Sequence, residues 1–301
     1  MTLPPGRKKG AAIMLSLWAL FLLSAMVISW ALDIDTRLTN SGVTNRALEA
    51  TAMACSGAEV ALHPGIKAGS PLLRGGLGPN QSFEARITGE GGRLNLNLLL
   101  TGQNPQRMEM VRKFLEVKGV DLNERDHMID CLVDWMDPDN LVGLNGAEDE
   151  PGYRPPNRPL TNLEELKRVR GWGEFTSRPD WDADLTIMSV TPQIDVIWAS
   201  RDVLLALPGM SEPQVDRLLE LRRGRDGVEN TEDDGIKSPE DFRVALGLTQ
   251  AQFAQIAPLV TFDGPVKRIV SVGRSGTVTR TVRLVVSKVG SAIQLKSWKE
   301  L

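Results

Sequence analysis

The sequence predicts an α+β fold: a long N-terminal helix packed on an antiparallel sheet, with a large helical domain inserted between the strands. Three observations predict it. An uncharged apolar run near the N-terminus leads, without a proline, into an amphipathic stretch. Segments rich in Val, Ile and Thr with alternating polarity lie both before residue 100 and after residue 262. Between them, from about Asn104 to Ala257, the periodicity is helical and is punctuated by capping signals.

The N-terminal element comes first. Residues 1–10 carry Arg7, Lys8 and Lys9, and the following 22 residues, 11–32, hold no charge. As a helix that run would be about 33 Å long, enough to cross a bilayer core. Basic residues on its N-terminal side hold that end in the cytoplasm and send the rest outside, and Trp30 stands where an interfacial anchor belongs. A cleaved signal peptide is the competing reading, but its apolar region would span only about 7–15 residues. Beyond Asp33 the pattern turns amphipathic, with Leu48, Ala52, Cys55 and Leu62 on one stripe. Gly42 and Gly57 weaken this helix without ending it. The expectation is a rod, half in lipid and half packed on a domain.

A Gly/Pro-rich link follows from Pro64 to Pro79. Residues 82–88 and 93–99 alternate apolar and polar side chains around Gly89-Glu-Gly-Gly, which predicts a hairpin. In the helical region, Thr161-x-x-Glu164, Ser211-x-x-Gln214 and Thr249-x-x-Gln252 fit capping boxes. Gly171, Gly209 and Gly247 stand where helices should end. Residues 268–272, 277–288 and 292–298 read as strands, with turns at Gly273-Arg-Ser-Gly and Val289-Gly-Ser; their natural partner is the 82–99 region.

The 301 residues allow more than one packed unit, and 42% hydrophobic with 24% charged residues is ordinary for a globular protein. A net charge of -3 makes no case for nucleic acid. Cys55 and Cys131 could form one disulfide or remain two buried thiols. The densest chemistry is Asp134-Trp-Met-Asp137-Pro-Asp139, followed by Gly146-Ala-Glu148-Asp149-Glu150. Hard oxygen donors grouped this closely suit calcium. Asp137, Asp139 and Glu148 occupy positions 1, 3 and 12 of a loop of EF-hand length, but Val142 stands where that loop requires glycine. A non-EF-hand calcium loop and a solvated acidic loop with helix-capping Asp residues are both open. The run from Asp226 to Asp234 is a weaker cluster with irregular spacing.

Leu207-Pro-Gly209-Met-Ser211 between two helices resembles a helix-hairpin-helix, which would allow a membrane-tethered DNA-binding protein as an alternative. Ser211 stands where a second glycine is usual, and acidic residues from Asp226 onward offset Arg222, Arg223 and Arg225. No enzyme motif is present: His63 and His127 show no zinc spacing, and no nucleophile elbow or phosphate loop occurs.

The N-terminus resembles a type IV prepilin leader, with a short basic segment ending in Gly10 and the apolar helix starting at Ala11. Leu15 stands at the fifth mature position, where the usual pilin has glutamate; the K-type minor pseudopilin of type II secretion systems lacks that glutamate. Asp134-Trp-Met-Asp-Pro-Asp139, Gly146-Ala-Glu148, Tyr153, Pro156-Asn157, Leu163-Glu-Glu-Leu166 with Gly171, and the 199–209 segment are similar to that subunit's blocks, in order. The resemblance implies a pilin-like fold divided into a prepilin leader (1–10), the transmembrane part of the helix (11–32), a periplasmic helix with the first strands (33–100), an inserted helical domain with a calcium-type loop (101–262) and the C-terminal strands (263–301). It implies cleavage by a prepilin peptidase between Gly10 and Ala11, a single-pass inner-membrane anchor with the bulk in the periplasm, and other minor pseudopilins as partners at the tip of a pseudopilus. It implies a structural calcium ion with Asp134, Asp137, Asp139 and Glu148 as ligands, no nucleic-acid partner and no catalytic role.

Overall fold

The computed structural model describes residues 8–225, 227, 229, 235–289 and 292–301. Leader residues 1–7, the 290–291 turn and most of the acidic run 226–234 lie outside them.

Helix α1 (Lys8–Leu62) is 55 residues long, about 82 Å at the α-helical rise. From Ala12 it is long and apolar enough to cross a membrane. Its second half packs on the sheet through Ala50, Met53, Ala54, Ala58 and Ala61, all buried. The expected stripe is not this face: Leu48 and Ala52 are exposed, and Cys55 and Leu62 are half-buried at its margin. The sheet selects for small side chains rather than large ones. A Cβ added at Gly273 would run into the Ala50 carbonyl and the Ala54 amide, and one at Gly57 would strike Ser271 and Phe83. Gly57 is therefore a packing residue.

After α1 comes β1 (Arg74–Gly78), a strand inside the expected link, which pairs antiparallel with β2 (Gln81–Gly89), the strand expected over 82–88. The hairpin expected between residues 82–88 and 93–99 does not form. Only Leu94–Asn95 (β3) is extended, pairing in parallel with Leu185–Thr186 (β4), and Leu96–Leu100 is helical (α2). Asn95 accounts for the turn to helix, since its side chain accepts the Leu98 N–H as an N-cap. Leu94, Leu96, Leu99 and Leu100 are all buried and join the core of the inserted unit, which thus draws on residues before 101.

Two longer helices follow, α3 (Pro105–Val117) and α4 (Leu122–Met136). Residues 137–200 then hold little regular structure: one 3-10 segment (Leu163–Arg168), a short α5 (Gly173–Ser177), β4, and Ile194–Asp195 (β5). The expected helical periodicity fails there because prolines at 138, 151, 155, 156, 159, 179 and 192 each remove a backbone donor. Regular helices resume with α6 (Arg201–Leu205), α7 (Glu212–Arg222), α8 (Pro239–Ala245) and α9 (Gln250–Ile256), before Val260–Thr261 (β6) pairs with β5. The Ser211/Gln214 and Thr249/Gln252 capping boxes form. The first box is shifted by one residue: Asn162 is the cap and Glu165 its partner, while Thr161 also donates to the Glu165 carboxylate. Gly171, Gly209 and Gly247 take φ of +78°, +74° and +65°, the left-handed termini expected of them.

The chain returns to the sheet in β7 (Val266–Ser275), β8 (Val278–Val289) and β9 (Ala292–Glu300). The sheet order is β1-β2-β7-β8-β9, with every neighbour antiparallel. Gly273, expected in a turn, lies inside β7 beneath α1; the turn is made by Gly276, at φ +56°. Because Gly89 pairs with Lys267, the inserted unit leaves and re-enters at adjacent points of the sheet. At that junction Glu90 is wholly buried, and Arg268 donates to both its oxygens at 2.6 and 2.7 Å, with the Thr186 hydroxyl as a further donor. Arg283–Asp182 and Lys299–Glu164 ion pairs also tie the sheet to the inserted unit. Cys131 is in the core of that unit, Cys55 is on α1, and both are free thiols.

Candidate functional site

Helix α4 ends by delivering carboxylates into an irregular loop. Its last turns bury Leu132, Val133, Trp135 and Met136, and that packing carries Asp134 inside with them, at 2% exposure. A charge so placed needs donors, and the returning loop supplies them. The Gly143 N–H donates to both Asp134 oxygens at 3.1 Å, and the Ala147 N–H donates to the same carboxylate. Gly146 is required here because a Cβ on it would collide with the Asp134 carboxylate. One turn earlier, Asp130 accepts the Asn145 N–H at 3.1 Å and its side-chain amide at 3.0 Å. Asp139 accepts the Leu141 N–H at 2.8 Å, and the half-buried His127 donates from Nδ1 to the Asn145 carbonyl at 2.6 Å.

The remaining acids are not so provided for. Asp137, the C-cap of α4, has a buried Oδ1 without a partner. Glu148 is buried with neither carboxylate oxygen paired, and Asn157 Oδ1 is likewise orphaned. Asn157 holds the loop from the other side, donating from Nδ2 to the Asp139 carbonyl at 2.5 Å and to Asn140 Oδ1 at 2.6 Å. Burial pushes the carboxyls of Asp134, Asp137 and Glu148 above the usual range, and the surrounding acids push in the same direction.

Asp134, Asp137, Asp139 and Glu148 thus fall within one electrostatic neighbourhood, as their mutual repulsion records. Among the described residues, no three His, Cys, Asp or Glu side chains already converge as a metal cluster. The chemistry nonetheless fits a hard cation. The orphaned oxygens of Asp137, Glu148 and Asn157 are all acceptors lacking a donor, the kind of ligand a hard cation takes. Asp130 and Asn157 were not singled out as site residues by sequence reasoning. The signal for Asn157 is its place after Pro155-Pro156, at φ +48°, a conformation Asn tolerates better than most residues.

The other sequence candidates resolve differently. Between α6 and α7 the Leu207–Ser211 connection is a tight hairpin, but the cations around it are engaged within the protein. Arg222 is buried and donates to the Val196 and Ala199 carbonyls, Arg223 faces Glu229, and Arg201 pairs with Glu212 and Asp216. Gly10 and Ala11 lie within the backbone of α1, whose start leaves Leu15 72% exposed.

A membrane-length helix over an antiparallel sheet, with a helical unit inserted between adjacent strands, is a pilin-like fold. Residues 92–177, which contain the whole acidic site, match the family model for protein K of the type II secretion system, first domain. The match covers that part of the chain alone. The type II secretion system protein K of Dickeya chrysanthemi is 34% identical over 71 residues, 23% of this chain. That stretch spans 20% of the Dickeya protein's length. The fold is similar to a chain in the crystal structure of the GspK-GspI-GspJ complex from the enterotoxigenic Escherichia coli type 2 secretion system. That similarity has a TM-score of 0.58 at 13% identity, over 88% of this chain and 99% of that one.

Proposed function

We propose that this chain is a minor pseudopilin at the tip of the type II secretion pseudopilus, acting in assembly and protein export without catalysis. The observation that carries the reading is the large unit set between β2 and β7 on a helix-and-sheet platform of pilin type. A subunit built this way can join a filament through α1, while the inserted bulk obstructs the next subunit above it. Leu15 agrees with a tip position, because an apolar residue there has no N-terminus ahead to pair with. In this reading α1 anchors the chain once in the inner membrane and the remainder is periplasmic. A prepilin peptidase cuts between Gly10 and Ala11, and other minor pseudopilins are the partners. A calcium ion held by Asp134, Asp137, Asp139 and Glu148 would neutralise the buried carboxylates and order residues 137–157, with no reaction to perform.

The test is the intact mass of the chain after co-expression with a prepilin peptidase, together with recovery of companion minor pseudopilins. Loss of residues 1–10 alone, with the product still membrane-bound and associated, is the expected result. Retention of those residues, or cleavage beyond Leu32, would overturn the reading.

A further inference from the structure

We infer that the cavity formed by the end of α1, the sheet and Trp198 is a binding site for a single-chain amphiphile with an acidic head, a ligand of the fatty-acid class. The inference stands apart from the tip reading and does not depend on it. Helix α1 ends at Leu62, and a tight turn follows in which the Ile66 N–H donates to the His63 carbonyl at 2.9 Å. The turn folds Ile66 back so that it packs, with Leu62 and Ile87, on the core beneath α1. These three side chains are only half-buried, because with Ile269 and Val286 they line an apolar cavity of about 660 Å³. Small-molecule sites have volumes of roughly 300–1,000 Å³ and apolar linings with a few polar groups.

The inserted unit supplies another wall, the Trp198 indole. The Trp198 N–H donates to the Asp195 carbonyl at 3.0 Å, and Gly89 lacks the side chain that would strike the ring. The cavity therefore takes its lining from both units, and ligands prefer such boundaries.

The polar groups select the head. Lys67 and Lys267 both line the cavity, with Lys267 Nζ 5.3 Å from the Trp198 ring centroid. Lys67 is exposed and has no ion-pair partner among the described residues. His63 is the third group, and its Nδ1 accepts the Gly65 N–H at 3.2 Å, which leaves the proton on Nε2 as a donor. Against two ammonium groups and this donor stands one acid in the lining, the exposed Asp263. A carboxylate head is attracted here, and the chain behind it covers Leu62, Ile66, Ile87 and Trp198 from water. At about 30 Å³ per water-sized group, the volume takes a chain of on the order of ten to twenty carbons. Residues 33–62 of α1 place the cavity about 45 Å along the helix from the apolar run, so the ligand arrives as a free molecule rather than from the bilayer.

The experiment uses the full chain in phospholipid nanodiscs, without detergent to compete for the cavity. Dodecanoate bearing a photoreactive diazirine is added, and the labelled residues are mapped by mass spectrometry. The expected result is saturable labelling at Leu62, Ile66 or Trp198, displaced by plain dodecanoate and not by dodecanol. Lys67→Glu, a surface change, and Ile66→Glu, which sets a charge among the apolar walls, should each cut that labelling about tenfold. Leu77→Glu, on the exposed strand β1 and outside the lining, should leave it unchanged. A Lys67→Glu chain labelled like the parent, or displacement by dodecanol as complete as by dodecanoate, overturns the acidic head. Labelling confined to residues 11–32, or rising with concentration without saturation, is partition into lipid and overturns the site.

Discussion

Glu90 shows how a single buried charge can join two folding units. Its carboxylate is inaccessible to water, and Arg268 from β7 and Thr186 from β4 supply the donors it would otherwise lack. Such a pair contributes little relative to well-packed apolar groups, yet removing one partner strands the other without solvent. Glu90→Ala should therefore cost about 3–5 kcal/mol in urea unfolding of the detergent-solubilised chain. Glu90→Leu with Arg268→Met should cost clearly less than the single change, because no charge is left behind. Arg93 adds to the strain of the junction: burial first, then the nearby Arg268, pulls its pKa down to about 10. Glu148 is the contrasting case, a buried carboxylate with no donor on either oxygen. Its charge opposes folding unless a cation neutralises it. Glu148→Gln should melt at or above the parent temperature in chelator, and it should lose the rise in melting temperature that calcium gives the parent. A calcium response equal to the parent's would remove Glu148 from the ligand set.

The secondary-structure elements divide by where their information lies. Caps and terminal glycines are local, and Ser211, Thr249, Gly209 and Gly247 act as the sequence predicts. The C-terminal strands were legible for the same reason: β-branched residues repeat at the strand period. Two expectations failed where tertiary packing overrides pattern. Residues 93–99 alternate like a strand, but Asn95 caps a helix and Leu94, Leu96 and Leu99 are buried in the inserted unit. The stripe through Leu48 and Cys55 is the more hydrophobic face of α1, yet the sheet receives the alanine face, because Gly273 brings the backbones into close approach. The candidate site was legible as a cluster of acids, since Asp134, Asp137, Asp139 and Glu148 are close in sequence. Their different surroundings were not, because Gly143 serves Asp134 while Glu148 is left unserved only by the folded path of the loop. The close approach at Gly273 is testable. Gly273→Ala forces a methyl into the Ala50 carbonyl and should cost about 1–3 kcal/mol. Gly273→Val should cost more, and in either variant Cys55 should become more reactive to thiol reagents as α1 lifts. Unchanged stability in both would mean that α1 does not pack on β7 through this glycine.

At the scale of the whole molecule, the inserted unit interrupts what is otherwise one hairpin. Gly89 and Lys267 are paired neighbours on β2 and β7, so the sheet does not depend on the insert to bring its strands into register. An antiparallel pair can be closed by a two-residue turn, and a short closure costs less chain entropy than the long one it replaces. Replacing residues 90–266 by Asn-Gly should thus leave α1 and the five strands able to fold. Two changes must accompany it. Arg268 would lose Glu90 and should be replaced by Thr, and the sheet face that carries Arg283 would be opened to water as Asp182 departs. That face is already rich in charged side chains, so its exposure should be tolerated better than exposure of the alanine face under α1. The shortened chain should give a strand-containing circular dichroism spectrum and one cooperative unfolding transition; absence of both would show that the insert is required for the sheet. If the inserted bulk is what terminates the filament, cells carrying the shortened chain in place of the parent should also make longer pseudopili by electron microscopy. Pseudopili of unchanged length on a folded shortened chain would instead place termination in α1, with Leu15 the first residue to restore to glutamate.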